Sequence, residues 1–201
     1  MTAKTIEYFY SVASGYSYLG AGRFYDLAAR SGRQVIHRPV YLRIVLERTG
    51  ATQFQDRHPA RIRQMVEDLG TTGAYHGIPI NSDPSHHYDN IEVAAGMAAT
   101  LILQGRDPAM LSFLMQQALW RDDRSLADTT VLDDLASQAE LDGPALRAEA
   151  RGEAAQDLLQ KNSLEAAERG VIGAPTYIVE GRALFGQDRL HHLEAILAER
   201  L

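Results

Sequence analysis

Three short stretches carry side chains that could do chemistry. The first, Ser14-Gly15-Tyr16-Ser17, lies between an aromatic, β-branched run and a run with helical spacing. A serine at such a junction is a preferred helix N-cap, and the same hydroxyl can also turn to a ligand. No histidine and aspartate stand at a spacing that would activate it, so Ser14 does not read as a nucleophile. The second stretch, Gly173-Ala174-Pro175-Thr176, puts a proline just before a strand-like run. The third, Gly186-Gln187-Asp188, precedes the last helical run, where Asp188 could act as its cap. His86-His87 sits in a loop rich in Ser, Asp and Pro. Adjacent histidines seldom chelate one ion together and no HExxH-type spacing exists, so no metal is expected; the loop could instead be a lid. Trp120, followed by Arg121-Asp122-Asp123, reads as a helix end with solvated charge and not as a site.

Composition removes several classes of function. The 201 residues include no cysteine, which excludes a thiol nucleophile, a disulfide framework and CxxC redox chemistry carried by this chain. The formal net charge of -6 argues against a nucleic-acid partner. No apolar stretch approaches the length of a membrane span, and Met1–Lys4 leads into a strand without a basic and apolar leader. The expected compartment is the cytoplasm, with no membrane partner.

Thr5–Val12 and Val35–Tyr41 read as strands around a helix at Tyr16–Arg30. From Leu42 to Arg169 the pattern is mostly helical, with helices expected at Pro59–Leu69, Asn90–Leu103, Pro108–Trp120, Thr130–Glu140, Gly143–Arg151 and Ala154–Arg169. Thr176–Val179 and Arg182–Phe185 read as a hairpin around Glu180-Gly181, and Arg189–Leu201 as a closing amphipathic helix. The order β-α-β, helices, β-β-α predicts an α/β fold: a thioredoxin-like domain with a large inserted all-helical domain. The expected division is 1–41 with 170–201, and 42–169 as the insertion. In that setting Pro175 is a candidate cis proline.

At this level of detail the chain resembles the 2-hydroxychromene-2-carboxylate isomerases and kappa-class glutathione transferases, a branch of the DsbA-like thioredoxin superfamily. YFYSVASGYSYLG is similar to the family's aromatic strand followed by Ser-Pro-x-Ser-x-Leu. His58–Pro79 is similar to its segment with Pro-Ala-Lys, an Asp-Leu pair and Tyr-Gly-(Ile/Leu)-Pro. RGVIGAPTYIVEGRALFGQDRL is similar to its Gly-Val-Phe-Gly-(Ala/Val)-Pro-Thr and Phe-Gly-(Gln/Asn)-Asp-Arg signature, the most specific of the three. The likeness runs nearly end to end. It implies glutathione as cofactor, with Ser14 donating to its thiol, Ala174 before cis Pro175 pairing with its cysteinyl unit, and Gly186, Gln187 and Asp188 holding its γ-glutamyl end. Arg61 stands at the lysine of Pro-Ala-Lys and joins the expected cofactor contacts. The chain departs from the pattern at Gly15, where the family has proline and a looser turn is implied. It departs again at Ala51, where the family has asparagine, and at Leu46, where some isomerases carry a basic residue; Arg43 lies close by.

The chemistry implied is specific. A free thiol titrates near pH 8.5, so a hydroxyl donor and a helix N-terminus that together lower it to about 6.5 would make the thiolate dominant at neutral pH. The resemblance implies reversible thiolate addition that interconverts 2-hydroxychromene-2-carboxylate and trans-o-hydroxybenzylidenepyruvate, or a related intermediate of aromatic catabolism. A small aromatic carboxylate needs a cation, for which Arg43, Arg61 and Arg63 are candidates, each otherwise ordinary surface charge. Tyr16 is expected to line the aromatic pocket, and a homodimer is implied. Two other readings stay open: a kappa-type glutathione transferase or peroxidase, and a non-catalytic DsbA-like binding module.

Overall fold

A computed structural model describes residues 5–200. Its sheet has the order β2-β1-β3-β4, from β1 (Thr5–Tyr10), β2 (Gln34–Pro39), β3 (Thr176–Val179) and β4 (Arg182–Phe185). β1 and β2 run parallel, joined by the 17-residue helix α1 (Gly15–Ser31). A parallel pair needs such a crossover, and the β-α-β order supplies it. β3 pairs antiparallel with both β1 and β4. The two halves of the thioredoxin-like unit therefore meet between β1 and β3, although most of the chain lies between them.

Side-chain alternation explains why both faces of this sheet are covered. Tyr8, Tyr10, Tyr177 and Val179 point to one face, into a core shared with Leu19 and Phe24 of α1 and Leu193 of α9 (Leu190–Leu197). Tyr8 stacks on Tyr10 at 4.7 Å and on Tyr177 at 5.4 Å between ring centroids. Phe9 and Ile178 point the other way and meet Val40, Val45, Ala166 and Val171. Val45 belongs to α2 (Leu42–Arg48) and Ala166 to α8 (Glu153–Glu168), so α2 and α8 close the second face.

Between them come α3 (Pro59–His76), α4 (Glu92–Leu103), α5 (Ala109–Trp120), α6 (Thr129–Gln138) and α7 (Gly143–Ala150). Their apolar residues join the core on the α1 side of the sheet, where Met97, Leu111, Met115 and Leu132 are fully buried. Among the described residues no helix is long and apolar enough to cross a membrane.

Element types follow the sequence expectations closely, while several boundaries move, two of them for a clear physical reason. The helix expected at Pro59–Leu69 runs on to His76. Its apolar period fades at Gly70 and Gly73, yet Gly73 is where the following segment folds back on the helix: a Cβ there would sit 2.5 Å from Ile80 Cγ2. Tertiary packing, not local periodicity, keeps this turn helical. The last helix starts at Leu190, because Gln187–Arg189 form a 3-10 turn first.

Candidate functional site

The end of β1, the start of α1 and the loop before β3 converge on one cavity of about 790 Å³. Ser14 is the N-cap of α1. Its Oγ accepts the Ser17 N–H at 3.1 Å, and it donates to the Ala174 carbonyl at 3.2 Å. The amides of Gly15 and Tyr16 have no partner among the described residues, leaving two donors at the positive end of a 17-residue helix. One hydroxyl thus ties the helix start to the strand that enters from residue 174.

Ala174-Pro175 is a cis peptide, as the position before a strand suggested. The Ala174 carbonyl takes the Ser14 hydroxyl and its N–H has no partner among the described residues. Backbone N–H and C=O groups are obligatory hydrogen-bonding groups. An unpaired N–H beside a carbonyl held only by a rotatable hydroxyl is an edge that an extended peptide could join.

Of the residues singled out in the sequence, Ser14, Ala174, Tyr16 and Arg43 line the cavity. Tyr16 is half-buried and its hydroxyl donates to Asp68 at 2.7 Å; burial and that carboxylate push its phenol pKa well up. Arg43 is largely exposed, 71% in its side chain, and lies 3.9 Å from Glu47. Pro175 and the Gly186–Asp188 turn adjoin the site without lining it: the Gly186 N–H donates to the Pro175 carbonyl at 2.9 Å. Gln187 is buried and accepts from Arg23. Asp188 is exposed and pairs with Arg189 at 3.3 Å, and no side-chain cap bond holds the start of α9, so the capping alternative does not apply. Arg61 and Arg63 are exposed on α3 away from the cavity lining.

One expectation needs correction. Trp120, read as a mere helix end, is 1% exposed and forms a wall of the cavity, with its Nε1–H donating to the Ala13 carbonyl at 3.2 Å. Gly15, which stands where the family has proline, packs against the same ring. A Cβ on Gly15 would lie 3.1 Å from the Trp120 ring and 3.0 Å from Leu69, so the glycine lets these side chains close onto the helix start.

Sequence reasoning missed Phe54 and Arg57 of the far wall, although His87 and Tyr88 come from the loop read as a candidate lid. Phe54 and Arg57, around a 3-10 turn at Phe54–Asp56, line the cavity together with His87 and Tyr88. The Arg57 guanidinium lies over the Phe54 ring, 4.1 Å from its centroid. His87 packs against Trp120 at 4.8 Å and Phe54 at 5.8 Å between centroids. Burial lowers the His87 pKa. A cation flanked by aromatic residues in one loop was the only available signal, and it is a weak one.

The pattern of a DsbA-like thioredoxin domain matches residues 5–198. The chain belongs to that family. It is 28% identical over 198 residues to a 2-hydroxychromene-2-carboxylate isomerase of Sphingobium xenophagum, across 98% of this chain and 99% of the relative. A solved 2-hydroxychromene-2-carboxylate isomerase superimposes with a TM-score of 0.82 at 20% identity, over 97% of this DsbA-like chain and 95% of the other. A cytosolic disulfide reductase of Pseudomonas aeruginosa, solved with GSH, superimposes with a TM-score of 0.67 at 20% identity over 98% of both chains. The DsbA-like fold is thus shared with a reductase, whereas this member has no cysteine to carry such chemistry.

Proposed function

We propose that this DsbA-like protein is a glutathione-dependent isomerase. Its substrate would be 2-hydroxychromene-2-carboxylate, interconverted with trans-o-hydroxybenzylidenepyruvate, or a related intermediate of aromatic catabolism. The observation that carries the reading is the Ser14–Ala174 junction: a hydroxyl at a helix N-terminus, 3.2 Å from a carbonyl whose own N–H is unpaired, at the wall of a cavity. The end-to-end relative named as such an isomerase supports it.

The residues present fit glutathione. The open edge at Ala174 suits the extended cysteinyl unit of a peptide, whose thiol would then lie beside Ser14. A volume of about 790 Å³ falls within the range of small-molecule sites, with room for a second ligand. When bound, glutathione would supply a thiolate nucleophile for reversible addition to the conjugated double bond of the substrate.

The chain's own part is positional and electrostatic. The Ser14 hydroxyl rotates from the Ala174 carbonyl to the thiol, which frees that carbonyl for the peptide. The Gly15 and Tyr16 amides and the α1 dipole favour the anion. Gly186–Asp188, held to Pro175, would take the γ-glutamyl end, as Ser14 takes the thiol. Trp120, Phe54 and Tyr88 give the aromatic substrate apolar walls that exclude water.

Glutathione titration read by thiolate ultraviolet absorbance across pH tests this directly. A saturable signal with the thiol titrating well below 8.5 is expected, and Ser14→Ala should raise the bound thiol pKa and cut turnover roughly 100-fold. Absence of saturable binding, or an unchanged thiol pKa and turnover in Ser14→Ala, overturns the proposal.

A further inference from the structure

Arg57 stands apart from the other cations of this molecule. It lines the cavity, it is half-buried, and no carboxylate among the described residues pairs with it. Two of the carboxylates near the cavity are engaged elsewhere. Asp68 accepts from Tyr16 at 2.7 Å, and Asp89 is held by His86 at 2.9 Å and by Ser125. By contrast Arg43, on the rim, is mostly exposed and close to Glu47. Leu46 reaches the same cavity but is apolar and 4% exposed, so it brings no charge.

The setting of Arg57 is that of a prepared anion site. The Phe54 ring supports one face of its guanidinium, and one N–H reaches Met65 Sδ at 3.7 Å. A guanidinium carries five N–H donors in a rigid plane that matches a carboxylate two at a time. Resting on Phe54 leaves that edge available. Burial disfavours its charged form. A poorly solvated cation with no counter-ion gains most from an anion that arrives with its own apolar body. Around it Phe54, Trp120, Tyr88 and the His87 ring offer flat surfaces to such a body.

We infer that Arg57 is the anchor for the carboxylate of an aromatic acid, whose ring lies against Phe54 and Trp120. This deepens the isomerase reading and rests on it for the identity of the natural substrate; the site itself is independent of glutathione. The shared chemistry is a carboxylate, and glutathione carries two of its own, so the source must be distinguished. The aromatic walls favour the aromatic acid.

The test uses cinnamate and its neutral isostere cinnamamide, with calorimetry for affinity in the absence of thiol. Trp120 is the only tryptophan, so its fluorescence reports whether the ligand enters the cavity. Cinnamate should quench Trp120 and bind more tightly than cinnamamide. Arg57→Met should weaken cinnamate by roughly 10- to 100-fold and leave cinnamamide nearly unchanged. Arg57→Lys, which keeps the charge but not the planar fork, should fall between, and guards against misreading a folding defect. With the isomerase substrate, Arg57→Met should raise KM far more than it lowers kcat. Equal losses for acid and amide would overturn the inference, since Arg57 would then only shape the cavity. A loss confined to glutathione affinity would also overturn it and assign Arg57 to the thiol. Failure of the thiolate titration alone, with charge-selective binding intact, would sink the isomerase reading and leave this anchor standing.

Discussion

The two walls of the cavity are built by different means. The near wall is backbone: Ser14 at the start of α1 and Ala174 before β3, with free amides and a carbonyl as its working groups. The far wall is side chains: Phe54, Arg57, His87 and Trp120, drawn from a 3-10 turn, a loop and the end of α5. The near wall is held by the sheet and by a helix cap, so its geometry tolerates changes in most side chains. The far wall exists only while several segments stay packed. The comparison teaches that a wall made of backbone groups depends on secondary structure alone, whereas a wall made of side chains depends on the packing of several segments.

Breaking the far wall should cost most. Trp120→Ala removes a buried ring that touches the start of α1, and a destabilisation of about 3–5 kcal/mol is expected in urea unfolding. Trp120→Phe should cost less and still disturb binding, because the bond to the Ala13 carbonyl is lost. If Trp120→Ala were as stable as the parent, the two walls would not be mechanically joined.

A change at the seam should cost less. Gly15→Ala places a methyl 3.0–3.1 Å from Leu69 and Trp120, and overpacking of this kind costs about 1–3 kcal/mol. The same variant should shift Trp120 fluorescence, which separates displacement of the far wall from a purely local helix effect. An unshifted spectrum with a lowered Tm would place the damage in the near wall.

The smallest effect is the pH dependence of stability. Burial lowers the pKa of His87 in the far wall and of His37 in the core below the ordinary 6.5. Their unfolded forms then bind protons first as pH falls, so the stability they contribute is present above 6.5 and is lost through the window beneath it. Asp83 acts against the lowering at His87 and Arg57 reinforces it. Urea midpoints should therefore drop from pH 7 toward pH 5, and His87→Gln should flatten that slope in part. A slope unchanged in His87→Gln would assign it to His37 and to other groups.

Much of the near wall was legible in the sequence. Ser14 lies at a junction where period-2 residues give way to helical spacing, and Ala174-Pro175 precedes a β-branched strand; both signals are local. Their 160-residue separation hid only the distance between them, and the strand order supplied the rest. Arg63 attracted notice by charge and Arg61 also by its place in the family resemblance, and α3 turns both to solvent. Trp120 was misread because its neighbours Arg121-Asp122-Asp123 are solvated, while the ring itself faces inward across 107 residues to Ala13.

The sequence by itself determined the element types, the β-α-β…β-β-α order, the absence of thiol chemistry in the chain and the cap that starts α1. These depend on periodicity, turn chemistry and composition, which act over a few residues. It took the folded chain to show that Trp120 closes on Gly15, that Leu46 lines the cavity, and that Arg57 brings a charge into it over Phe54. Those contacts arise because core packing brings distant side chains within van der Waals reach, and no local pattern encodes which ones will meet.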